Sequence, residues 1–331
     1  MRKFWKHSLI VLILLFPTAE IAARIIGWKA LWNTDYRVSS TPSTWIRGDS
    51  TLGFQLSPGS FSITLNKGLT FQTTHLSNGT RWVNASKNAQ QAVHFFGCSF
   101  TYGYGVNDRE TFVYLLQQEF PGWHFQNFAV PGYGTAQSVL SLEETIRSGE
   151  IPKVAVLVYS AAHAERDAMA YSWRRALKIG FSRSNKRVEH YMYGAQFPYW
   201  DVDAQHLAEE NWDALYSNWP GRETFAIVNA MQSNLEQEIP ESQQQAGSLA
   251  LLRRFVQLCA EHEIQVLVVN LDGAELSKKD FQETVPFLCP VFFDFSKHQL
   301  TNHPHDEHPN QKGHLIIFER IKSCLAPLLN E

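Results

Sequence analysis

The stretch Ala92-Val-His-Phe-Phe-Gly-Cys-Ser-Phe-Thr-Tyr-Gly-Tyr-Gly105 decides how the rest of the chain is read. Val93 to Phe96 form a short apolar run with the β-branched and aromatic content of a buried strand. Gly97, Cys98 and Ser99 follow, then a turn rich in glycine and aromatics. A helix start comes next: Asn107 and Glu110 have capping-box spacing, ahead of Phe112, Val113 and Leu116. Strand, tight turn with a hydroxyl, then helix: this layout puts Ser99 at the carboxyl end of a strand, where open α/β sheets hold their ligands. A serine there has two readings. It is a nucleophile with backbone N–H groups around it, or an ordinary turn residue.

Downstream, strands and helices alternate. Residues 123–128 read as a second strand and 135–146 as a helix, with Val139, Leu142 and Ile146 in register. The run VAVLVY at 154–159 is continuously apolar, as expected of a strand buried on both faces. A helix is predicted over 246–261, strands over 266–270 and 290–295, and a closing helix over 310–325. Such alternation predicts an α/β fold: a parallel sheet with helices on both faces. Upstream, Phe54, Leu56, Phe61, Ile63, Leu65 and Phe71 alternate with polar residues, predicting a small β-rich region. Residues 161–243 interrupt the pattern with Trp173, Trp200, Trp212 and Trp219 and with helical-looking runs such as 203–216. An insertion of that length forms a lid or binding loop over a site, or its aromatics are simple cover.

The chain has 331 residues, 44% of them hydrophobic, with 22 Phe and 10 Trp, enough for one large domain or two modest ones. Formal net charge is −3, so no basic nucleic-acid footprint is present. Cys98, Cys259, Cys289 and Cys324 have no zinc-type spacing. They read as buried small residues, with a Cys289–Cys324 disulfide left open. Arg2, Lys3 and Lys6 precede the apolar run 9–16, a pattern of export signals. Positive-inside logic leaves the remainder outside the cytoplasm. The run is shorter than the roughly 20 residues of a full span. Either residues 21–23 close a cleavable signal, or residues 1–27 form an uncleaved anchor with Glu20 and Arg24 near its outer end. The anchor is the expectation here.

Chemistry concentrates in His303-Pro-His305-Asp306-Glu307-His308-Pro309-Asn310. The spacing of Asp306 and His308 lets a carboxylate orient an imidazole. Three histidines and two acids also suggest a metal, but zinc recruits ligands from more than one segment and no partner segment is evident, so no metal is expected. A third piece, Asn127-Phe-Ala-Val-Pro-Gly132-Tyr-Gly134, offers a glycine that lets backbone approach a ligand.

Taken together, residues 97–103, Asn127 with Gly132, and Asp306-x-His308-Pro-Asn resemble the SGNH (GDSL-type) hydrolase superfamily over about residues 90–328. The resemblance implies a three-layer α/β/α sandwich with a central parallel sheet, preceded by a membrane helix and a small β region: 1–27 anchor or signal, 28–90 linker and β region, 91–331 hydrolase domain. It implies Ser99 as nucleophile, His308 as general base, Asp306 as its orienter, and the N–H groups of Ser99 and Gly132 as oxyanion donors. No cofactor is implied. Two positions depart from the family. Cys98 stands where an Asp is usual, making its thiol a rival nucleophile. The third block lacks the family's oxyanion asparagine, and His163 or Arg166 stand nearby as replacement oxyanion or substrate contacts. The expected function is a membrane-anchored, extracytoplasmic esterase or acyltransferase acting on a carbohydrate or other small ester. The alternative is a non-catalytic carbohydrate-binding or assembly protein keeping the same fold.

Overall fold

Glu20 is a carboxylate in a largely apolar helix, and it is buried because it caps a second helix 206 residues away. In the computed structural model, which describes residues 15–31, 37–86, 88–184, 188–273 and 285–330, helix α1 (15–25) turns Glu20 and Ala23 inward. Glu20 accepts from the N–H groups of Ala226 at 2.9 Å and Ile227 at 3.0 Å, the first turn of the helix Ala226–Leu235 (α9 in chain order). Acceptors at a helix amino end satisfy otherwise unpaired donors. Arg222, fully buried, pairs with Glu236 at 2.7 Å in the same unit. These residues belong to the smaller of two units, 1–36 with 216–238. No helix among the described residues is long and apolar enough to cross a membrane; residues 1–14 of the expected anchor lie outside them.

The larger unit covers 37–215 and 239–331. Its first part alternates as the sequence pattern requires. Strands β1 (Ser39–Thr41), β4 (Gly59–Thr64) and β5 (Thr70–His75) pair antiparallel in the order β1-β4-β5, and β2 (Ile46–Asp49) pairs with β3 (Gly53–Leu56). The main sheet has five parallel strands: β6 (Ala92–Gly97), β7 (His124–Asn127), β8 (Val154–Tyr159), β11 (Gln265–Asn270) and β12 (Leu288–Pro290), in the spatial order β12-β11-β8-β6-β7. The chain runs from β6 outward to β7, then crosses back to β8. The carboxyl end of β6 is therefore a topological switch point, the position at which open α/β sheets bind ligands.

Both faces of the sheet are covered. Val93, Phe95, Val154, Val156 and Val158 pack on one side with helices α3 (Phe112–Glu119) and α11 (Gln311–Leu329). Phe96, Ala155, Leu157 and Tyr159 pack on the other with α4 (Thr135–Arg147) and α10 (Glu241–Glu261). The period-2 alternation of each strand feeds both layers.

Two predicted elements differ. The edge strand expected at 290–295 is three residues, Leu288–Pro290, because pairing with β11 ends at Pro290. The helical-looking run 203–216 is mostly a strand, β10 (His206–Asn211), paired with β9 (Gln196–Asp201); only Trp212–Leu215 is helical. Tertiary pairing overrides local propensity there.

Candidate active site

Gly97 ends β6 with φ +141°, and a Cβ there would lie 2.5 Å from Thr101 Oγ1 and 2.8 Å from the Val158 carbonyl. Only glycine fits so close an approach. The chain then turns at Cys98 into the one-turn helix α2 (Ser99–Tyr102). Ser99 is thus presented directly above the switch point.

Two buried side chains fix this turn from outside it. The Arg81 guanidinium, fully buried, donates to the carbonyls of Tyr102 (2.8 Å), Gly103 (2.7 Å) and Val106 (2.8 Å), and its Nε pairs with Asp108 at 2.9 Å. Asn127, at the end of β7, donates to the Thr101 carbonyl at 2.9 Å. Tyr102, Thr73 and His75 form a buried hydrogen-bonded trio against the same turn.

His308 comes from the far end of the sequence. His308 Nε2 lies 2.7 Å from Ser99 Oγ. Its Nδ1 is hydrogen-bonded to Asp306, whose carboxylate also accepts the His308 backbone N–H at 2.8 Å. The ring sits between Phe100 and Tyr104, with both centroids 5.1 Å away. Its loop is pinned by Asn302 N–H donating to the His308 carbonyl at 2.9 Å, and by Asn310, which caps α11 through the N–H groups of Lys312 and Gly313. Ser99, His308 and Asp306 therefore form one continuous hydrogen-bonded chain. Cys98 is buried beside Ser99, and the imidazole is bonded to the hydroxyl of Ser99.

Gly132 follows β7 with φ +95°. It lines an open cleft whose other walls include Trp45, Phe54, Tyr104, Trp173, Leu177, Phe181 and Met192. Tyr104 is shared: it walls the cleft and touches the His308 ring. The cleft and the triad are neighbours through this one residue.

The two expected replacements for the missing asparagine are occupied elsewhere. His163 is fully buried, with Nδ1 3.1 Å from Thr135 Oγ1 and its ring against Tyr159. Burial pushes its pKa down to about 4, against the opposing pull of Asp167. Asp167, also buried, accepts from Thr135 and Ala136 N–H and from Ser248, capping α4. Burial raises its pKa. Arg166 donates to the Tyr133 carbonyl at 3.0 Å and stacks over Trp173. His163 is thus enclosed, and Arg166 braces the cleft wall from its side.

His298, His303 and Glu307 offer donor atoms within 4.8 Å of one another on the exposed edge of the Asp306 loop, the set best suited to a metal among the described residues. The triad is separate from it. Arg81 carries no motif and nothing in the sequence singles it out, and Tyr104 reads only as one aromatic of the glycine-rich turn.

No protein-family model matches the chain, and no curated protein matches it. Solved structures do. An esterase, EstA, from Pseudoalteromonas sp. is 12% identical, with TM-score 0.41, covering 73% of this chain and 100% of that one. AlinE4, an SGNH-hydrolase family esterase, is 12% identical, with TM-score 0.37, covering 74% and 97%. A variant of an acetyl-xylooligosaccharide esterase from Geobacillus is 13% identical, with TM-score 0.37, covering 72% and 94%.

Proposed function

We propose that the protein is a serine-dependent ester hydrolase. The carrying observation is the chain Ser99 Oγ–His308 Nε2, His308 Nδ1–Asp306. In this reading His308 takes the Ser99 proton as the oxygen attacks an ester carbonyl, and Asp306 holds the tautomer and stabilises the imidazolium. The N–H groups of Ser99 and Gly132 donate hydrogen bonds to the developing oxyanion. His308 returns the proton to the leaving alcohol. Water, or a second alcohol in a transferase, then resolves the acyl-enzyme. Where the family has an asparagine, this chain has Ser160-Ala161-Ala162-His163. A missing donor costs on the order of 10²–10³ in turnover, so a modest rate is part of the proposal.

The cleft beside Tyr104 supports an apolar acyl group. Its lining residues are mostly aromatic and aliphatic, and none carries a charge. Such a pocket favours burial of apolar surface, worth roughly 0.8 kcal/mol per CH₂. The alcohol, a carbohydrate or other small hydroxyl compound, leaves toward solvent. Action outside the cytoplasm is supported by the Cys289–Cys324 disulfide, since such bonds persist in oxidising compartments, and by the basic-then-apolar amino end, through which the protein is tethered. The absent asparagine favours a second reading, a binding protein without turnover.

One experiment separates them. The protein is incubated with p-nitrophenyl acetate, butyrate and octanoate and with a fluorophosphonate probe, beside Ser99→Ala. The expected result is labelling and hydrolysis lost in Ser99→Ala, with kcat/KM rising from acetate to the longer chains. No labelling and no hydrolysis of any of the three overturns the enzyme reading.

A further inference from the structure

Helix α1 is inside out for a helix in water. Its buried side chains are Glu20 and Ala23, while Ile21 and Ile25, and Ile26 just past its end, are exposed, Ile25 to 79%. Ile21 and Ile25 are one turn apart on the side away from Glu20. More than half of the large apolar side chains exposed among the described residues belong to this small unit. A scattered exposed leucine needs no explanation, but a buried carboxylate backed by an exposed isoleucine row does.

The buried side of α1 explains half of the pattern. Glu20 supplies the acceptors for the first N–H groups of α9, Arg24 donates to the Thr224 carbonyl at 2.9 Å and to Glu20 at 2.6 Å, and Phe16 meets Phe225 edge-on at 5.0 Å. Past the helix, the Lys29 carbonyl accepts from Asn229 at 2.8 Å, and Leu31 N–H donates to Arg222. Burial raises the Glu20 pKa, but the two backbone donors and Arg24 outweigh it and hold the carboxyl below its usual range. Removing residues up to 23, as a signal peptidase acting after Ala23 would, takes away the cap and strands two donors, one buried and one half-buried.

The exposed side explains the other half. The isoleucine row continues the apolar run 9–16, which three basic residues precede, and it ends at Trp28 and Lys29, residue types that settle at the membrane–water interface. We propose that residues 15–31 are retained as a permanent part of the folded protein, and that the Ile21–Ile25 face of α1, with Ile26 just past its end, lies against the lipid bilayer. The segment that reads as an export signal is then also a structural member of the unit formed with 216–238. This goes beyond the hydrolase reading and stands or falls apart from it.

The full chain, produced with its amino end intact and purified from membranes, is tested by intact mass. Retention of 15–31 is expected; an amino terminus at residue 24 or later overturns the proposal. For the lipid contact, Ile25→Cys and Ile21→Cys carry an environment-sensitive fluorophore, with Tyr193→Cys, 90% exposed, as control. In phosphatidylcholine/phosphatidylglycerol vesicles, brominated acyl chains should quench the labels at 25 and 21 at least twofold more than that at 193. Equal quenching overturns the lipid assignment. So does a concentration-dependent blue shift without lipid, which would mark a second copy of the chain.

Discussion

Arg81 donates to the carbonyl of Gly103 at 2.7 Å, four residues past Ser99, from a position with no exposed surface. A fully desolvated guanidinium is tolerated only where its donors are met, and here they are met largely by the carbonyls of the turn that presents Ser99. Arg81→Met removes the buried donor that those carbonyls and Asp108 share. The expected loss is about 3–5 kcal/mol of stability, read as a lower urea midpoint. At temperatures where the variant stays folded, kcat should still fall, because the serine loses its fixed position.

Asp306→Asn keeps the shape of the site and removes the negative charge beside His308 Nδ1. An amide can donate to that nitrogen and select the wrong tautomer. On the Ser–His–Asp pattern the expected drop in kcat is about 10³–10⁴-fold, with an unchanged circular dichroism spectrum. A drop under tenfold would argue that Asp306 serves only the loop.

The Cys289–Cys324 bond joins β12 to α11 across a sequence separation of 35. The loop it closes carries both Asp306 and His308. Closing a loop of that length restricts the unfolded chain by about 3–4 kcal/mol. Cys289→Ser with Cys324→Ser should lower the thermal midpoint by several degrees and leave fluorophosphonate labelling intact at 25 °C. Loss of labelling in a folded variant would show that the bond also sets the position of the base.

Acid should unfold the protein steeply. Burial pushes His75, His94 and His314 down to about 3 and His163 to about 4. Unfolded histidines take up protons near 6.5, so below that pH the unfolded state binds more protons and stability falls as pH falls. Each contributes about 1.4 kcal/mol per pH unit until its folded pKa is reached. Asp167, held above its usual range, works in the opposite direction. Urea midpoints at pH 7.5, 6.5, 5.5 and 4.5 should fall mainly over the last three. His94→Phe, which replaces a ring packed against Phe96 and Phe128, should lower the proton uptake on unfolding by about one.

The parts of the molecule legible in the sequence are those where a local pattern and a tertiary requirement coincide. Val154–Tyr159 is apolar at every position and sits in the middle of the sheet. Ser99 follows an apolar strand and precedes a helix, and His308 lies 2.7 Å from it, as the motif order implied. Arg81 could not be read this way. A single basic residue in a β-rich stretch has no period and no motif, and its role arises from contacts 21 to 27 positions downstream. The cleft is assembled from β2–β3, the turn at Gly132 and helix Tyr171–Ser184, so no one segment announces it. His206–Asn211 misled because its partner strand lies outside any short window. The Cys289–Cys324 pairing depends on distance in space, which spacing along the chain does not encode.

The hydroxyl at 99 and the imidazole at 308 are 209 positions apart, and the loop bearing the imidazole is held by the cap of the last helix. A chain made or exported amino end first therefore carries its serine long before it carries the group that can activate it. Until α11 docks, no partially assembled form possesses the base–serine pair. On the proposed mechanism, reactivity is thereby tied to the docking of that loop, and a chain ending before residue 308 would be inert rather than indiscriminate.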